Sequence, residues 1–333
     1  MSIIPMVSVS MVTYNHQKYL RQAIEGVLMQ RTTFPVQLVI GEDCSTDGTL
    51  DICIEYKNKY PEQIKLVSHT QNVGSKQNAI DTINACEGKY IAICDGDDYW
   101  IDKNKLQRQI SFLETHPEFS ICCHRAQVLN EKNRTIKTPK ALKQDIFYQS
   151  DVANHNFIQT LTVVFRREAI PVFPECFYNS ISSDYFINLL ASQEGKIKYF
   201  SHIMAVYRLH QGGIWTSESQ IKGYENTLMV LESFMKEKID DEVRAKLKRN
   251  IVRQHIKIYE LFKRNGKEAE SKAILEKVLS ADFVDAWNQE LELAILGTEK
   301  KERKIGKICL KPYIAFRTFC SKLSFFIHRL KYE

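Results

Sequence analysis

Short apolar runs alternate with amphipathic segments over the first hundred residues of the chain. The runs are rich in β-branched residues, which is typical of buried strands. The predicted strands are Val7–Val12, Val36–Ile40, Ile64–Val67 and Tyr90–Cys94. Because strands that alternate with helices form parallel sheets with right-handed crossovers, this region is predicted to be an α/β fold.

The segments between these strands predict three helices. Apolar residues recur three and four positions apart over Leu20–Leu28, and Asn15 precedes them as a candidate N-cap. The polar run Ser45–Gly48 predicts the start of a second helix. The turn Asn72–Gly74 leads into a third helix at about Lys76–Ala85.

The pattern beyond Trp100 is less regular and then becomes helical. The predicted elements are strands at Ile121–Leu129, Leu161–Phe165 and Ile203–Leu209, a helix at Asp184–Ala191, and helical sequence over about 221–296. We therefore expect one domain over residues 1–218, a helical extension over 219–298 and a separate tail over 299–333.

Polar residues follow three of the predicted strands at the point where each strand ends. They are Thr13–Asn15, Glu42–Asp43 and Asp95–Asp98. In open parallel sheets, ligands bind beyond the carboxyl ends of the strands. We therefore expect these three groups to converge on one site, although they are far apart in sequence.

The acidic residues Asp95, Asp97 and Asp98 point to a bound cation. Three carboxylates within four residues repel one another unless a cation or protons neutralise them. Oxygen ligands of this kind suit Mg²⁺ or Mn²⁺, and these ions typically bridge to phosphates. A solvated acidic turn is the alternative interpretation, but the buried strand that precedes the cluster favours the metal site.

Three polar residues near the first two strand ends have two interpretations each. Asp43 can accept a hydrogen bond from a nucleobase N–H or a ribose hydroxyl, or it can cap the helix that follows. Thr13 and Asn15 are ligand contacts or helix caps on the same grounds. The residue types alone leave both alternatives open.

Composition and charge describe a globular body with a basic tail. Hydrophobic residues make up 44% and charged residues 26% of the 333 positions. No apolar run approaches the ~20 residues that a membrane span needs. Within the net charge of +6, Glu299–Glu333 contains ten Lys and Arg against three Asp and Glu. The body is therefore close to neutral, and the tail favours an anionic partner.

The tail also predicts a helix with two different faces over residues 305–331. Its apolar face consists of Tyr313, Phe316, Cys320, Leu323, Ile327 and Leu330, and its basic face of Lys311, Lys322 and Arg329. Such a helix lies in a membrane interface or docks on the body of the protein, and both interpretations remain open. A nucleic acid partner is not expected, because no recognition fold is evident.

Cysteine usage and the first residues bear on the compartment. The nine cysteines are scattered without a Cys-x-x-Cys spacing, which argues against a disulfide framework or a zinc knuckle. Reduced thiols in a cytosol are the simpler interpretation. The first residues lack the charged flank and apolar run of a signal peptide. We expect a cytoplasmic protein, with peripheral contact at the inner face of the cell membrane as one interpretation of the tail.

Four segments, in order and at suitable spacing, resemble glycosyltransferase family 2, whose members have the GT-A fold. The segments are Val9–Asn15, Glu42–Thr49, Asn72–Gly74 and Asp95–Trp100. The resemblance covers about residues 5–215. It implies a Rossmann-like, mixed but mostly parallel central sheet flanked by helices, with a nucleotide-binding half at 1–100 and an acceptor half at 101–218.

The resemblance implies roles for residues that follow the first two strands. It assigns Thr13, Tyr14, Asn15 and Asp43 to the nucleoside, which is usually uridine in this family. Two positions depart from the family pattern. Cys44 stands where the family usually has Gly, and Glu42 stands where it often has Asp.

The resemblance also implies how the diphosphate and its metal are held. It assigns Asp95 and Asp97 to a metal–diphosphate motif that binds Mn²⁺ or Mg²⁺, with Asp98 nearby. Many members have an Arg after the turn that corresponds to Asn72–Gly74. This chain has Lys76 there, which we expect to supply the positive charge.

Two segments in the second half complete the implied site. Family members carry an acidic general base, commonly as Glu-Asp, and of that pair only Asp184 is present here. Tyr207–His210 resembles a Tyr-Arg-x-His segment of the family. Arg208 is expected to offset phosphate charge, and His210 to complete the metal shell or contact the diphosphate. A helix-dipole Asp and a structural His are the alternative interpretations.

The predicted function is therefore an inverting transfer of sugar from a nucleoside-diphosphate sugar, UDP-sugar by preference, to the hydroxyl of a saccharide or lipid-linked saccharide. Cell-surface polysaccharide or glycolipid synthesis is the expected context. Ile91–Asp97 also resembles haloacid-dehalogenase-type phosphohydrolases, with Asp95 as nucleophile, but the following Asp98 and Tyr99 depart from that motif. A non-catalytic nucleotide-sugar-binding protein is a third interpretation, and Asp184 argues against it.

Overall fold

The computed structural model describes residues 4–178, 183–212 and 220–278, together with residues 283 and 286. The chain divides into two compact units, Met1–Val278 and Leu279–Glu333. Almost all of the described residues belong to the first unit. The predicted tail over 299–333 lies outside the described residues, and so does most of the predicted extension beyond Val278.

Strands and helices alternate through the first hundred residues. The elements are β1 (Val7–Thr13), α1 (Leu20–Leu28), β2 (Val36–Glu42), α2 (Thr49–Lys59), β3 (Ile64–Ser68), α3 (Ser75–Asn84) and β4 (Tyr90–Ile93). The four strands are mutually parallel and lie side by side in the order β3-β2-β1-β4. The predicted parallel α/β arrangement of this half is confirmed.

The second half extends the same sheet with strands of both directions. Its elements are β5 (Tyr99–Trp100), α4 (Lys105–Thr115), β6 (Phe119–Asn130), β7 (Thr135–Lys137), β8 (Ile146–Phe147), α5 (Gln149–Asn154), β9 (Val164–Arg166), α6 (Glu175–Tyr178), α7 (Ser183–Ala191) and β10 (Lys196–Leu209). The sheet continues in the order β4-β9-β6-β10-β5, with β9 antiparallel to both neighbours and β10 parallel to β6. The sheet is therefore mixed and mostly parallel, as the family resemblance implied.

The structure corrects four details of the sequence-based prediction. Helix α1 begins at Leu20 with Tyr19 as its N-cap residue, so the interpretation of Asn15 as the cap was wrong. The second strand predicted beyond Trp100, Leu161–Phe165, starts only at Val164, because Thr160–Thr162 form a 3₁₀ turn. Strand β10 extends back to Lys196, and helix α4 was not predicted at all.

Helices cover both faces of the parallel half of the sheet. Strand β1 is almost entirely buried, as expected of a central strand that is covered on both faces. The main core includes Val7, Val9, Met11, Leu20, Ile24, Leu38, Ile40, Ile52, Tyr90, Leu106 and Ile110, which come from the strands and from α1, α2 and α4. Helix α3 contacts β1 and β2, where the Asn78 side-chain amide donates to the Gly41 carbonyl oxygen over 2.9 Å.

Three more helices follow the sheet domain. They are α8 (Gln220–Phe234), α9 (Asp241–Arg264) and α10 (Glu268–Val278). Phe234 of α8 packs edge-to-face on Phe186 of α7 at 5.2 Å between ring centroids. Asn250 of α9 donates to the Ala153 carbonyl oxygen over 3.0 Å. The predicted boundary at residue 218 stays a prediction, since these helices pack on the same unit.

Two further observations concern the compartment. Among the residues that the structure describes, no helix combines the length and the apolar character that crossing a bilayer requires. The seven cysteines within the described ranges are free thiols, and six of them are buried.

Candidate active site

The carboxyl ends of β1, β2 and β4 meet at one edge of the sheet. The backbone N–H of Asp43 donates to the Thr13 carbonyl oxygen over 3.1 Å, and that of Gly96 donates to the Val12 carbonyl oxygen over 2.9 Å. The register that pairs Thr13 with Glu42 brings the β1 end level with the β2 end. The three polar groups predicted to converge are therefore joined by backbone hydrogen bonds at this edge.

Gly96 allows the Asp95–Asp98 turn, called here the acidic turn, to lie directly against β1. A Cβ atom at position 96 would stand 2.8 Å from Thr13 Oγ1 and 3.1 Å from His16 Nδ1. The separation from Thr13 is too short for a real Cβ contact, and the separation from His16 is tighter than most such contacts. Only glycine therefore permits this approach of the acidic turn to Thr13 and His16.

Two histidines converge on Asp97 in this edge. Asp97 Oδ2 lies 3.1 Å from His210 Nε2 and 3.9 Å from His16 Nε2. The side chains of Asp97, His16 and His210 are 21%, 16% and 7% exposed, respectively. One potential ligand atom from each of the three lies within 4.8 Å of the others. His16, from the loop after β1, was not predicted to belong to the site.

The electrostatic environment keeps Asp97 ionised. Burial on its own would raise the pKa of Asp97, but chiefly the hydrogen bond with His210 holds this pKa below its ordinary value. Burial lowers the pKa of His16, an effect that the charge of Asp97 opposes only in part. The arrangement therefore offers an ionised carboxylate beside an imidazole that burial keeps neutral, which are the protonation states that metal ligands need.

The other two carboxylates of the acidic turn differ from Asp97. Burial, followed by the neighbouring charges of Asp97 and Asp184, raises the pKa of Asp95 well above its ordinary value. Burial and the charge of Asp97 do the same to Asp98. Asp98 also accepts a hydrogen bond of 2.8 Å from the backbone N–H of Arg208, so it joins the acidic turn to β10.

The buried side chain of Arg208 holds the acidic turn through hydrogen bonds. Its guanidinium donates to the Asp97 carbonyl oxygen over 2.7 Å and to Glu131 Oε1 over 3.1 Å. The guanidinium also lies 4.3 Å from the ring centroid of Tyr99 and is hydrogen-bonded to Gln22. The side chain is 4% exposed. The structure thus gives Arg208 a part in holding the turn, and its expected contact with phosphate stays a prediction.

Asp184 approaches the site from helix α7. Thr160 Oγ1, in the 3₁₀ turn before β9, donates to Asp184 Oδ2 over 3.1 Å. The Asp184 charge contributes to the raised pKa of Asp95 and of Tyr207, whose main cause is burial in each case. Because such an influence requires proximity, Asp184 shares the electrostatic environment of the acidic turn.

Asp43 and Glu42 use their carboxylates to hold two backbone turns. Asp43 accepts from the backbone N–H groups of Val73 and Gly74 over 2.7 Å and 3.0 Å. Glu42 accepts from those of Cys44 and Ser45 over 3.2 Å and 2.8 Å. Both carboxylates therefore fix backbone turns at the rim of the site. The predicted contact of Asp43 with a nucleoside stays a prediction.

The remaining predicted nucleotide contacts lie along the same rim. Thr13 is 2% exposed, and its Oγ1 finds no hydrogen-bond partner among the described residues. Tyr14 is 41% exposed. Asn15 has a φ of 54° and accepts from the Thr46 backbone N–H over 2.8 Å. Lys76 donates to the Tyr178 carbonyl oxygen.

The donor atoms around Asp97 fit a divalent cation. Two imidazole nitrogens and one carboxylate oxygen are common ligands of first-row transition metals. They lie close enough for small side-chain rotations to bring them to one ion. Asp95 is not part of this three-residue group within the described ranges, so its predicted role as a ligand stays a prediction.

Comparison with known proteins agrees with this geometry. A family model described as Glycosyl transferase family 2 matches residues 8–175. An uncharacterized protein of Mycobacterium tuberculosis is 36% identical over 212 residues, which cover 63% of this chain and 60% of that protein. The chain therefore spans less than two thirds of the length of this relative.

Two solved structures share the fold at low sequence identity. The TarS 1–349 structure from Staphylococcus aureus, in complex with UDP-GlcNAc, aligns with a TM-score of 0.60 and 19% identity over 86% of this chain and 79% of that chain. The mannosyltransferase PcManGT from Pyrobaculum calidifontis, in complex with GDP-Man and Mn²⁺, aligns with a TM-score of 0.57 and 16% identity over 90% and 82%. At this level of identity the two structures support the GT-A fold alone.

Proposed function

The chain belongs to glycosyl transferase family 2, and from this premise we propose that it transfers a sugar from a nucleoside-diphosphate sugar, UDP-sugar by preference, to an acceptor hydroxyl with inversion at the anomeric carbon. The observation that carries the proposal is the convergence of the β1 and β4 ends, His210 and Asp184 around the acidic turn. Family membership also argues against the phosphohydrolase interpretation, which leaves the β1 and β2 ends without a role.

In this proposal the rim after β1 and β2 binds the nucleoside. Tyr14 presents an exposed ring on which a base can stack. Thr13 has a buried hydroxyl that lacks a partner among the described residues, and a ribose or base is a fitting partner for it. Asp43 and Asn15 complete the rim. The UDP-GlcNAc complex of a neighbour with the same fold supports uridine as the base.

The diphosphate lies against the acidic turn in the same proposal. Asp95, Asp97 and His210 hold Mn²⁺ or Mg²⁺, which offsets the negative charge that develops on the leaving diphosphate. The Mn²⁺ in the mannosyltransferase complex supports a divalent ion. Lys76 and Arg208 add positive charge on the protein side.

Asp184 is the proposed general base. As the acceptor oxygen attacks the anomeric carbon, its proton passes to the Asp184 carboxylate. The new glycosidic bond forms while the bond between the sugar and the diphosphate breaks, and the electron pair of that bond leaves with the nucleoside diphosphate. The hydrogen bond from Thr160 orients the carboxylate for this transfer.

The proposed acceptor is a saccharide or a lipid-linked saccharide in cell-surface polysaccharide or glycolipid synthesis. Support comes from the relative TarS of Staphylococcus aureus, which is named a poly(ribitol-phosphate) β-N-acetylglucosaminyltransferase. It is 33% identical over 113 residues, or 33% of this chain and 19% of that protein. A cytoplasmic enzyme that contacts the inner face of the membrane through residues 305–331 suits such an acceptor.

A thermal-shift panel of UDP, GDP, dTDP and their sugars, with and without Mn²⁺, tests the donor site. A ligand at one hundred times its Kd stabilises the folded state by about 2.7 kcal/mol. We expect UDP with Mn²⁺ to raise the Tm most. No shift with any nucleotide would overturn the proposal, and a shift without sugar transfer would favour the non-catalytic interpretation.

A pair of Thr→Val variants sharpens this experiment. In Thr13→Val the lost hydroxyl has no partner among the described residues, so the Tm without ligand is expected to stay constant or rise while the shift with UDP shrinks. Thr82→Val is the matched control. Its buried hydroxyl donates to the Asn78 carbonyl oxygen over 2.6 Å, so the Tm without ligand falls and the shift with UDP is retained.

A further inference from the structure

We propose that His16 is a further protein ligand of the cation, in addition to Asp97, His210 and the proposed ligand Asp95, and that this second imidazole makes the site select Mn²⁺ over Mg²⁺. The inference rests on the proposed function for the identity of this edge as the donor site. It goes beyond that function, which assigns the cation to the acidic turn and His210 and leaves the choice between Mn²⁺ and Mg²⁺ open.

His16 and His210 face the same oxygen atom of Asp97. Their Nε2 atoms lie 3.9 Å and 3.1 Å, respectively, from Asp97 Oδ2. The two imidazole rings stand edge-to-face with centroids 6.1 Å apart. Two rings that approach one carboxylate oxygen from different directions can present their nitrogens to one ion.

The position of His16 is fixed by contacts on both sides. Its backbone N–H donates to Thr49 Oγ1 over 2.9 Å, and its carbonyl oxygen accepts from the N–H groups of Tyr19 and Leu20 at the start of α1. Gly96 allows the acidic turn to approach the imidazole. The backbone of His16 is therefore held in place before any ion binds, so ion binding has to order only the imidazole ring.

The imidazole of His16 also has a buried nitrogen, Nδ1, without a hydrogen-bond partner among the described residues. Burial of a polar atom without a partner costs free energy, on the order of 1–3 kcal/mol. A ligand at this edge that reorients the ring would recover part of that cost.

The ligand types decide which ion is favoured. Mg²⁺ prefers oxygen ligands, keeps several of its waters and is usually held by one or two carboxylates. Imidazole nitrogen is a poor ligand for the hard cation Mg²⁺, whereas first-row transition metals accept it, Mn²⁺ the least strongly of that series. Two imidazoles with one carboxylate should therefore bind Mn²⁺ at least tenfold more tightly than Mg²⁺. With His16 added, the protein ligands should also retain Mn²⁺ when no nucleotide is present.

Electron paramagnetic resonance of Mn²⁺ added to the untagged full chain, without nucleotide, tests the inference. The signal of free Mn²⁺ gives the Kd, and spin-echo modulation by ¹⁴N reports nitrogen ligands. The wild type should bind one Mn²⁺ with the modulation of two imidazoles. His16→Phe keeps a ring of similar size but no ligand atom, and should weaken Mn²⁺ at least tenfold and leave the modulation of one imidazole.

His202→Phe is the matched control, because His202 is exposed on β10. It should bind Mn²⁺ like the wild type. A second variant, His16→Ala, and the Tm of each variant without metal separate loss of a ligand from loss of the fold. Competition with Mg²⁺ on the wild type measures the selectivity directly.

Two results would overturn the inference. One is equal Mn²⁺ affinity and equal nitrogen modulation in the wild type and in folded His16→Phe. The other is displacement of Mn²⁺ by Mg²⁺ at similar concentrations. If UDP still raises the Tm in either case, the proposed function stands and only the role of His16 fails. If Mn²⁺ binds through His16 but no nucleotide binds, the proposed function fails instead.

Discussion

Replacement of the buried Lys105 should change how folding stability depends on pH. Lys105 is the first residue of α4 and is fully buried. Its Nζ donates to Gln109 Oε1 over 2.8 Å and lies 4.0 Å from the ring centroid of Trp100. Burial lowers the pKa of Lys105 from 10.5 to about 7. The thiols of Cys94 and Cys122 act on it too, but burial raises their own pKa values, so they stay neutral.

The size of the effect follows from this pKa. Between pH 7 and pH 10.5 the unfolded chain binds a proton that the folded chain does not, so the free energy of unfolding increases with pH over this range. Each pH unit of difference is worth about 1.4 kcal/mol. Lys105 should therefore make the protein more stable at pH 9 than at pH 6 by roughly 2.5 kcal/mol. This contribution is lost as the pH falls through 7.

Lys105→Met keeps the length of the side chain and removes the titrating group. The variant leaves Gln109 Oε1 without its donor, which costs about 1–3 kcal/mol at every pH. Because this cost is the same at every pH, it does not affect how the stability difference between the two proteins changes with pH. We expect the stability of Lys105→Met relative to the wild type to fall by roughly 2.5 kcal/mol from pH 6 to pH 9.

Urea denaturation at four pH values between 6 and 9, followed by circular dichroism, measures this difference. Lys103→Met is the control, because Lys103 is exposed two residues away and should show no such trend. A relative stability of Lys105→Met that stays constant within about 0.5 kcal/mol over this range would refute the assignment of a lowered pKa to Lys105.

Three further predictions concern the site and the tail. Asp184→Asn should reduce sugar transfer by about 10²–10⁴-fold, with the UDP-induced Tm shift retained, and a rate within tenfold of the wild type would exclude Asp184 as the base. Arg208→Met should lower the free energy of unfolding by about 3 kcal/mol in urea titrations, since it removes a 4% exposed partner of the acidic turn. Replacement of Lys311, Lys322 and Arg329 by Glu should abolish sedimentation with anionic vesicles, whereas unchanged sedimentation would argue against tail electrostatics.

The first half of the fold could be predicted because its elements have clean periodicity. Strands β1 to β4 are short apolar runs, and the helices between them bury apolar residues at helical spacing. Helix α4 was missed because two of its buried positions, Lys105 and Gln109, are polar and interrupt the apolar stripe. Strand β10 was predicted too short because the exposed polar residues Ser201 and His202 interrupt its apolar pattern, where its register with β6 also shifts.

The candidate site was predicted in two ways, from the positions of the strand ends and from the family resemblance. Each way identified some of its residues and missed others. Each can indicate Asp97 and His210, because these residues stand in recognisable segments. Neither indicates His16, which follows Asn15 in a polar loop and gains its importance only from the fold. Asn15 itself was misread as a cap, because a positive φ and a bond to Thr46 cannot be seen in the residue type.

Gly96 also sets a limit on how the acidic turn can change. Because glycine has only a hydrogen atom in place of a side chain, Asp97 can lie close to His16, which precedes it by more than eighty positions. Even alanine would force Thr13 or the acidic turn to shift. An engineer who wished to alter the proposed ion preference of this edge should therefore vary the two histidines and leave the residue between Asp95 and Asp97 untouched.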